Sequence, residues 1–326
     1  MVDITALGEV LIDFTPAGFS ENGGILFEQN PGGAPANVLA VLSKFQKRTR
    51  FIGKVGNDQF GIFLKNTLEQ INVDTSGLVT SEHTNTTLAF VHLDQTGDRT
   101  FSFYRNPGAD TTLAKEDVNF DEIKNSRIFH FGSVSMTHQP SAETTLAAAS
   151  FAKENGVLIS FDPNLRESLW GNLDQAKEMM FRGLHLSDVV KISEEELVFL
   201  TGTSDLEKGS KMICDDYQVS LLFITLGGNG CYFRSGELIG IVPGYEVNVI
   251  DTTGAGDGFL GGVLYQVLEK NGKIDHLTKE ELTEIASFAN AVGALATTKR
   301  GAILSMPTLD ETITLITSKT TTKENV

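Results

Sequence analysis

Asp251-Thr252-Thr253-Gly254-Ala255-Gly256-Asp257-Gly258 is the segment of this chain best suited to chemistry. Small residues precede an acid at the start of an apolar helix, Phe259-Leu260-Gly261-Gly262-Val263-Leu264. The first N–H groups of a helix have no acceptor within it, and the helix dipole adds partial positive charge there. Gly254, Ala255 and Gly256 therefore form an anion cradle that could stabilise a phosphoryl group in flight. Asp257, beside them, could take the proton of an attacking hydroxyl. A lone Asp before a helix is also an ordinary cap. The Gly-Ala-Gly before it and Asp251 upstream favour catalysis.

A second candidate is Pro31-Gly32-Gly33-Ala34-Pro35-Ala36-Asn37. Gly32 and Gly33 permit a ligand to approach the backbone closely. Asn37, one turn into the following helix, offers a donor and an acceptor to a polyol. Alone, this is only a turn before a helix. The chain has no G-x-x-x-x-G-K-[ST] phosphate loop. It also lacks an early G-x-G-x-x-G, since Gly8 is followed by Glu9-Val10-Leu11.

These segments need a scaffold, and apolar runs alternating with helical stretches supply one. Residues 4–12, 51–55, 127–131, 157–161, 189–192 and 221–226 read as strands. Residues 35–45, 60–71, 141–155, 173–185, 256–270 and 280–297 read as helices, the first with Pro35 in its opening turn. The alternation predicts an α/β fold: a mostly parallel sheet covered by helices on both faces. Residues 87–94 and 99–105 break the rhythm as two β-rich runs joined by Gln95-Thr96-Gly97-Asp98. They predict a hairpin, either an edge decoration or a lid. Residues 320–326 read as a frayed tail.

Composition narrows the function. The chain has 326 residues, 40% hydrophobic and 21% charged, an ordinary globular balance. No apolar run approaches the ~20 residues of a membrane helix. Met1-Val2-Asp3-Ile4 does not begin a secretory signal. Cys214 and Cys231 lack metal-ligand spacing and read as reduced thiols of a cytoplasmic protein. The net charge of −16, from 26 basic and 42 acidic residues, argues against nucleic-acid and anionic-membrane partners. ATP remains compatible, because backbone N–H groups can hold its phosphates. The six histidines are scattered, and none is assigned to zinc.

Taken together, Gly32-Gly33-Ala34-Pro35-Ala36-Asn37 and Asp251-Thr252-Thr253-Gly254-Ala255-Gly256-Asp257 resemble, in order and spacing, the two signatures of the ribokinase/PfkB carbohydrate kinases. The resemblance covers nearly the whole chain, including Gly8-Glu9-Val10-Leu11-Ile12-Asp13 and Gly53-Lys54-Val55-Gly56-Asn57-Asp58. Phe103-Tyr104-Arg105-Asn106-Pro107-Gly108-Ala109-Asp110, Asp162-Pro163-Asn164-Leu165-Arg166 and Lys191-Ile192-Ser193-Glu194-Glu195-Glu196 look most like fructokinases. The 2-keto-3-deoxygluconate kinases share similar Tyr-Arg and Asp-Pro-Asn-x-Arg patterns.

The resemblance implies a single ribokinase-like domain with a small β-sheet lid, formed here by about residues 11–29 and 86–106. It implies sugar contacts from Asp13, Gly32, Gly33, Asn37, Tyr104, Arg105 and Arg166, although Arg166 also reads as a salt bridge near a strand end. Ser193 and Glu196 match the family's N-x-x-E motif, with Ser in place of Asn. The same pair reads as a helix capping box. Lys191 either reaches a phosphate or is an exposed strand-end charge. Thr225, Gly227, Gly228 and Gly230 match the loop beside the ribose and phosphates, at the strand ends where open α/β sheets bind ligands. Asn290 matches the adenine side. Asp251, Thr253, Ala296, Lys299, Gly301 and Ser305 match a monovalent-cation site built largely from backbone carbonyls.

The implied reaction is transfer of phosphate from ATP, with Mg2+ and K+, to a sugar hydroxyl. D-Fructose giving fructose 6-phosphate leads, ahead of another sugar, a sugar acid or a nucleoside. A different class is a non-catalytic sugar- or nucleotide-binding regulator. The resemblance also implies a homodimer joined through its lids.

Overall fold

The computed structural model describes residues 1–93 and 99–323. Among these residues the strands are β1 (Val2–Leu7), β2 (Leu11–Phe19), β3 (Ile25–Gly32), β4 (Thr49–Gly56), β5 (Val73–Ser81), β6 (Leu88–Leu93) and β7 (Arg99–Tyr104), followed by β8 (Ser126–Gly132), β9 (Leu158–Asp162), β10 (Val189–Ser193), β11 (Leu221–Thr225), β12 (Cys231–Ser235) and β13 (Leu238–Val242). The helices are α1 (Ala34–Lys44), α2 (Gln59–Gln70), α3 (Phe120–Ile123), α4 (Ser141–Glu154), α5 (Leu173–Leu186), α6 (Glu194–Thr201), α7 (Leu206–Tyr217), α8 (Ala255–Glu269), α9 (Lys279–Ala296) and α10 (Leu309–Lys323).

The large sheet runs β13-β12-β11-β10-β9-β8-β1-β4-β5, and the small one β3-β2-β6-β7. In the large sheet β5 through β11 are parallel, while β12 and β13 are antiparallel. From β1 the chain builds β4 and β5 on one side, then β8 to β11 on the other. The order therefore reverses beside β1, which makes the C-terminal ends of β1 and β8 the natural ligand crevice. The predicted mostly parallel sheet is present.

Burial on both faces explains the continuous apolar strands, such as the fully buried Leu221-Leu222-Phe223-Ile224 of β11. α1, α8 and α9 pack on one face and α4, α5 and α7 on the other. Gly261 and Gly262 explain how α8 lies so close to its neighbours. A Cβ at Gly261 would stand 2.7 Å from Val41 of α1, and one at Gly262 2.9 Å from the Ala289 backbone of α9.

Most helix starts are satisfied locally. Asp58, Asn172 and Asp205 cap α2, α5 and α7, and capping boxes begin α6 and α9. α1, α3, α4 and α8 lack a side-chain cap, and of these α1 and α8 begin on positive-φ glycines, Gly33 (123°) and Gly254 (77°). The Ala34 N–H of α1 is taken by Glu9 Oε1 at 2.9 Å, whereas the Gly254 and Gly256 N–H groups at the start of α8 remain for a ligand.

Several expectations change. Residues 4–12 are two strands in two sheets, broken at residues 8–10. The physical reason is crowding: a side chain at Gly8 would meet the Pro35 ring at 2.5 Å, and Glu9 is tied to the Ala34 N–H at 2.9 Å. The hairpin strands pair from Leu88↔Tyr104 to His92↔Thr100, while the turn Gln95-Thr96-Gly97-Asp98 lies outside the described residues. The small sheet also extends to Gly32, past the anticipated residue 29. Residues 320–323 continue α10 rather than fray, and Glu324–Val326 lie outside the described residues. β5, β12, β13, α3, α7 and α10 were not anticipated, and of α6 only its capping box was. Among the described residues no helix is long and apolar enough to cross a membrane.

Candidate active site

Asp257 is the third residue of α8, buried at 8% exposure. Asn37, one turn into α1, donates its Nδ2–H to Asp257 Oδ2 at 2.7 Å. The two sequence segments thus meet across 220 residues. Burial pushes the Asp257 carboxyl above the usual range, while the Lys191 charge, the Asn37 bond and the Arg166 charge work against it. The predicted cradle needs one correction. The Ala255 N–H donates to Thr252 O at 3.3 Å, leaving the N–H groups of Gly254 and Gly256 for a ligand.

Three cavities adjoin this turn. An apolar groove of about 270 Å³ is lined by Thr225, Gly227, Gly228, Gly230 and Asn290, all predicted, and by Tyr245, Val247, Val249 and Phe259, which were not. Asn290 does its work on the wall: its Nδ2 donates to Val242 O at 3.0 Å and to Pro243 O at 3.3 Å. Gly230 (φ 103°) brings the backbone together, since a Cβ there would stand 2.0 Å from Val242 O. A smaller polar cavity is lined by Glu9, Asp13, Gly33, Asn37, Phe103, Arg166 and Asp257. Between them a cavity of about 240 Å³ is lined by Asn164, Arg166, Lys191 and residues 252–257. Thr252, Ala255 and Gly256 belong to the groove and the middle cavity, while Asn164, Arg166, Thr253, Gly254 and Asp257 belong to the middle and polar cavities.

The glycines beside the polar cavity make room for specific atoms. A Cβ on Gly32 would lie 2.2 Å from Asp13 Oδ2, and one on Gly33 2.4 Å from the Glu9 carbonyl. Burial raises the Asp13 carboxyl to about 7, with Arg166 opposing and Asp251 and Asp257 assisting. Glu9 is pushed by burial to about 7 as well. Its Oε1 takes the Ala34 N–H, and its buried Oε2 has no hydrogen-bond partner.

Other predicted residues lie elsewhere or act indirectly. Tyr104 is 67% exposed, packs edge-on against Phe90, and lines none of the three cavities. Arg105 is buried away from them. It donates to Asp110 Oδ2 and Thr137 Oγ1, both at 2.7 Å, and to Val134 O at 3.0 Å. Neither side chain reaches the three cavities in this structure: Tyr104 is exposed, and Arg105 is held in a buried ion pair with Asp110. Ser193 and Glu196 form the capping box, and Glu196 Oε1 also takes the Leu165 N–H at 2.7 Å. That bond anchors the loop carrying Arg166. Lys191 is no exposed strand-end charge; it is buried, 2.8 Å from Asp162 Oδ2.

At the expected cation loop, Asp251 accepts the N–H groups of Thr253 at 2.9 Å and Gly301 at 3.3 Å. The Asp251 N–H in turn donates to Thr297 O at 3.1 Å, which draws the loop to the end of α9 beside Ala296. The Lys299 ammonium is turned to Glu311, and the Ser305 hydroxyl donates to the Ala302 carbonyl. Sequence reasoning missed Glu9 and Asn164 as site residues. Asn164 (φ 46°) carried a signal in Asp162-Pro163-Asn164, because its N–H bonds back to Asp162 Oδ1 at 3.1 Å.

An open α/β sheet that presents a buried carboxyl and free helix-start amides at the meeting of polar and apolar cavities suits an enzyme that transfers a group to a hydroxyl. The chain belongs to the pfkB family of carbohydrate kinases, whose description as "pfkB family carbohydrate kinase" matches residues 1–309. It is 41% identical over 315 residues to Fructokinase-1 of Zea mays, covering 96% of this chain and 97% of the relative. A fructokinase of Xylella fastidiosa with bound ATP superimposes with a TM-score of 0.90 at 36% identity, covering 98% of this chain and 99% of that one. A fructokinase of Vibrio cholerae O395 in a fructose-, ADP- and calcium-bound form gives a TM-score of 0.86 at 37% identity, covering 97% and 99%.

Proposed function

We propose that this carbohydrate kinase transfers the γ-phosphoryl group of ATP to the 6-hydroxyl of D-fructose. One observation carries the reading: Asp257 and the start of α8 line the cavities at the point where the apolar groove and the polar cavity meet. The nucleotide would occupy the groove and the sugar the polar cavity. Asp257 would take the hydroxyl proton while the Gly254 and Gly256 amides stabilise charge on the transferring group. Asn37 holds Asp257 in place, and Asp13 would hold sugar hydroxyls from the small sheet. That sheet would act as a lid that excludes water.

Charge distinguishes fructose from a sugar acid. The polar cavity is lined by Glu9, Asp13 and Asp257 against Arg166 alone. Arg105, a second cation suggested by the sequence, is neutralised by Asp110. A neutral ketose suits these walls better than an anion. Mg2+ would supply charge neutralisation for the phosphates. Among the described residues no three His, Cys, Asp or Glu side chains cluster to hold a metal, which fits an ion carried mainly on the nucleotide's own oxygens. K+ would sit between the Asp251 and Gly301 loops on backbone carbonyls and order the approach to Gly254.

The relatives named above, all fructokinases, support the substrate, and the two free cysteines, Cys214 and Cys231, suit a reducing cytoplasm. Exposed Phe19, Ile25, Leu26 and Phe27 on the small sheet support dimerisation through it. An ADP-release assay with Mg-ATP and K+ tests the substrate by offering fructose, 2-keto-3-deoxygluconate, ribose and glucose separately. Preferential turnover of fructose is expected, and preference for the sugar acid overturns the assignment. Light scattering tests the dimer, which a monomer mass refutes.

A further inference from the structure

Lys191 is a cation in a place with little water. Its side chain is 7% exposed, and its Nζ stands 2.8 Å from Asp162 Oδ2. The two charges form a close, buried ion pair. Burial works against the ammonium, yet the charges of Asp162, Glu196 and Asp257 outweigh it and hold Lys191 above its usual range. Lys191 therefore stays charged, and Asp162 alone does not occupy all three N–H donors of its ammonium. A buried charge in that condition is costly unless something completes its coordination.

Gly256 supplies the second observation. It lies in the first turn of α8. Its φ is not positive, so the backbone does not demand glycine. What glycine provides is space: a Cβ there would stand 3.1 Å from Lys191 Nζ. The ammonium thus sits against the residue whose free N–H opens on the middle cavity, and Lys191, Gly256 and Asp257 line that cavity together.

We propose that Lys191 is a catalytic residue of the transfer step, binding the phosphoryl group in flight beside the Gly256 N–H, with Asp162 as its positioning partner. The proposal rests on the base and cradle described above, and goes beyond a contact to bound nucleotide. In the step, Asp257 takes the hydroxyl proton and the hydroxyl oxygen bonds to the γ-phosphorus. The bond from that phosphorus to the β–γ bridging oxygen breaks, and ADP leaves with its electron pair. Lys191 remains protonated throughout. A cation placed for the moving group stabilises the transition state more than the bound substrates, so it raises kcat rather than lowering KM.

The test compares wild type, K191M, K191R, G256A and D257N in steady-state turnover. It adds calorimetric binding of a non-hydrolysable ATP analogue, and of ADP with aluminium fluoride and fructose as a transition-state mimic. K191M leaves Asp162 buried without its partner, so K191M/D162N, which removes both charges, is measured beside it. Both variants are expected to lose about 10²–10³ in kcat, as for loss of one transition-state donor. Both should lose the mimic by a similar factor and keep analogue affinity and sugar KM within about threefold. K191R should recover part of the loss, and G256A should lower kcat by crowding the ammonium. A K191M/D162N enzyme with kcat within threefold of wild type overturns the proposal. So does a loss confined to ATP KM, which marks Lys191 as a ground-state contact. D257N separates the readings: full activity there sinks the base assignment, whereas a collapse in D257N with full activity in K191M/D162N sinks this one.

Discussion

Gly32→Ala is a one-methyl test of how the proposed sugar cavity is built. Gly32 ends β3 across from the start of β2, and its backbone lies outside the left-handed region, so alanine fits the chain itself. The obstacle is the Asp13 carboxylate: the new Cβ would stand 2.2 Å from Oδ2 and 3.3 Å from Cγ. No real Cβ contact is that short, so Asp13 must rotate out of the cavity. A hydrogen bond to a charged group is worth about 1.5–3 kcal/mol, and about 1.4 kcal/mol is a factor of ten in rate. Losing one such bond to a sugar hydroxyl therefore predicts a drop of about 10- to 150-fold in kcat/KM for fructose. The assay is ADP release at pH 8, above the Asp13 value of about 7, with thermal melting as the check on folding. G32A should melt within a few degrees of wild type. D13A should fall by a comparable factor, and G32A/D13A no further, because both act on one contact. A G32A enzyme with kcat/KM within twofold of wild type refutes the reasoning.

Two further outcomes follow from buried charges outside the chemistry. R105M strands Asp110 without its cation, and breaking a buried pair costs about 3–5 kcal/mol, so its melting temperature should fall by many degrees; an unchanged melt would mean the pair is dispensable. Burial pushes Glu9 from the ordinary carboxyl value of 4.5 up to about 7 in the folded state. The folded state thus binds this proton more tightly, and the stability it brings is complete below pH 4.5 and lost as pH rises through 7. E9Q removes that titration. Relative to wild type it should gain about 3 kcal/mol between pH 4.5 and pH 8 in urea unfolding, and parallel pH profiles would contradict it.

The sequence disclosed the parts of the site that depend on residue type and short spacing. Gly254-Ala255-Gly256-Asp257 and Gly33 to Asn37 could be read because free helix-start amides and a following polar side chain follow from local geometry. The parallel sheet was legible for the same reason, as buried strands such as 221–225 are continuous apolar runs. What tertiary contacts decide was hidden. Arg105 reads as a ligand in sequence, and only the fold shows Asp110 and Thr137 taking its guanidinium. Lys191 reads as an exposed strand end until Asp162 and the first turn of α8 close over it. Glu9 lay inside what looked like one strand, and its place at the crossing between two sheets comes from Gly8 meeting Pro35. The Ala255 N–H looked free because Thr252 lies so near in sequence, yet whether it bends back depends on the turn it adopts.

The central claim is that Asp257 is the base, and the most direct measurement is kcat of D257N with saturating Mg-ATP and fructose. Asparagine keeps an oxygen for the Asn37 amide at nearly the same size, so the scaffold should hold. The account predicts a loss of about 10²–10⁴ in kcat with fructose affinity little changed. A D257N enzyme turning over within threefold of wild type would contradict it.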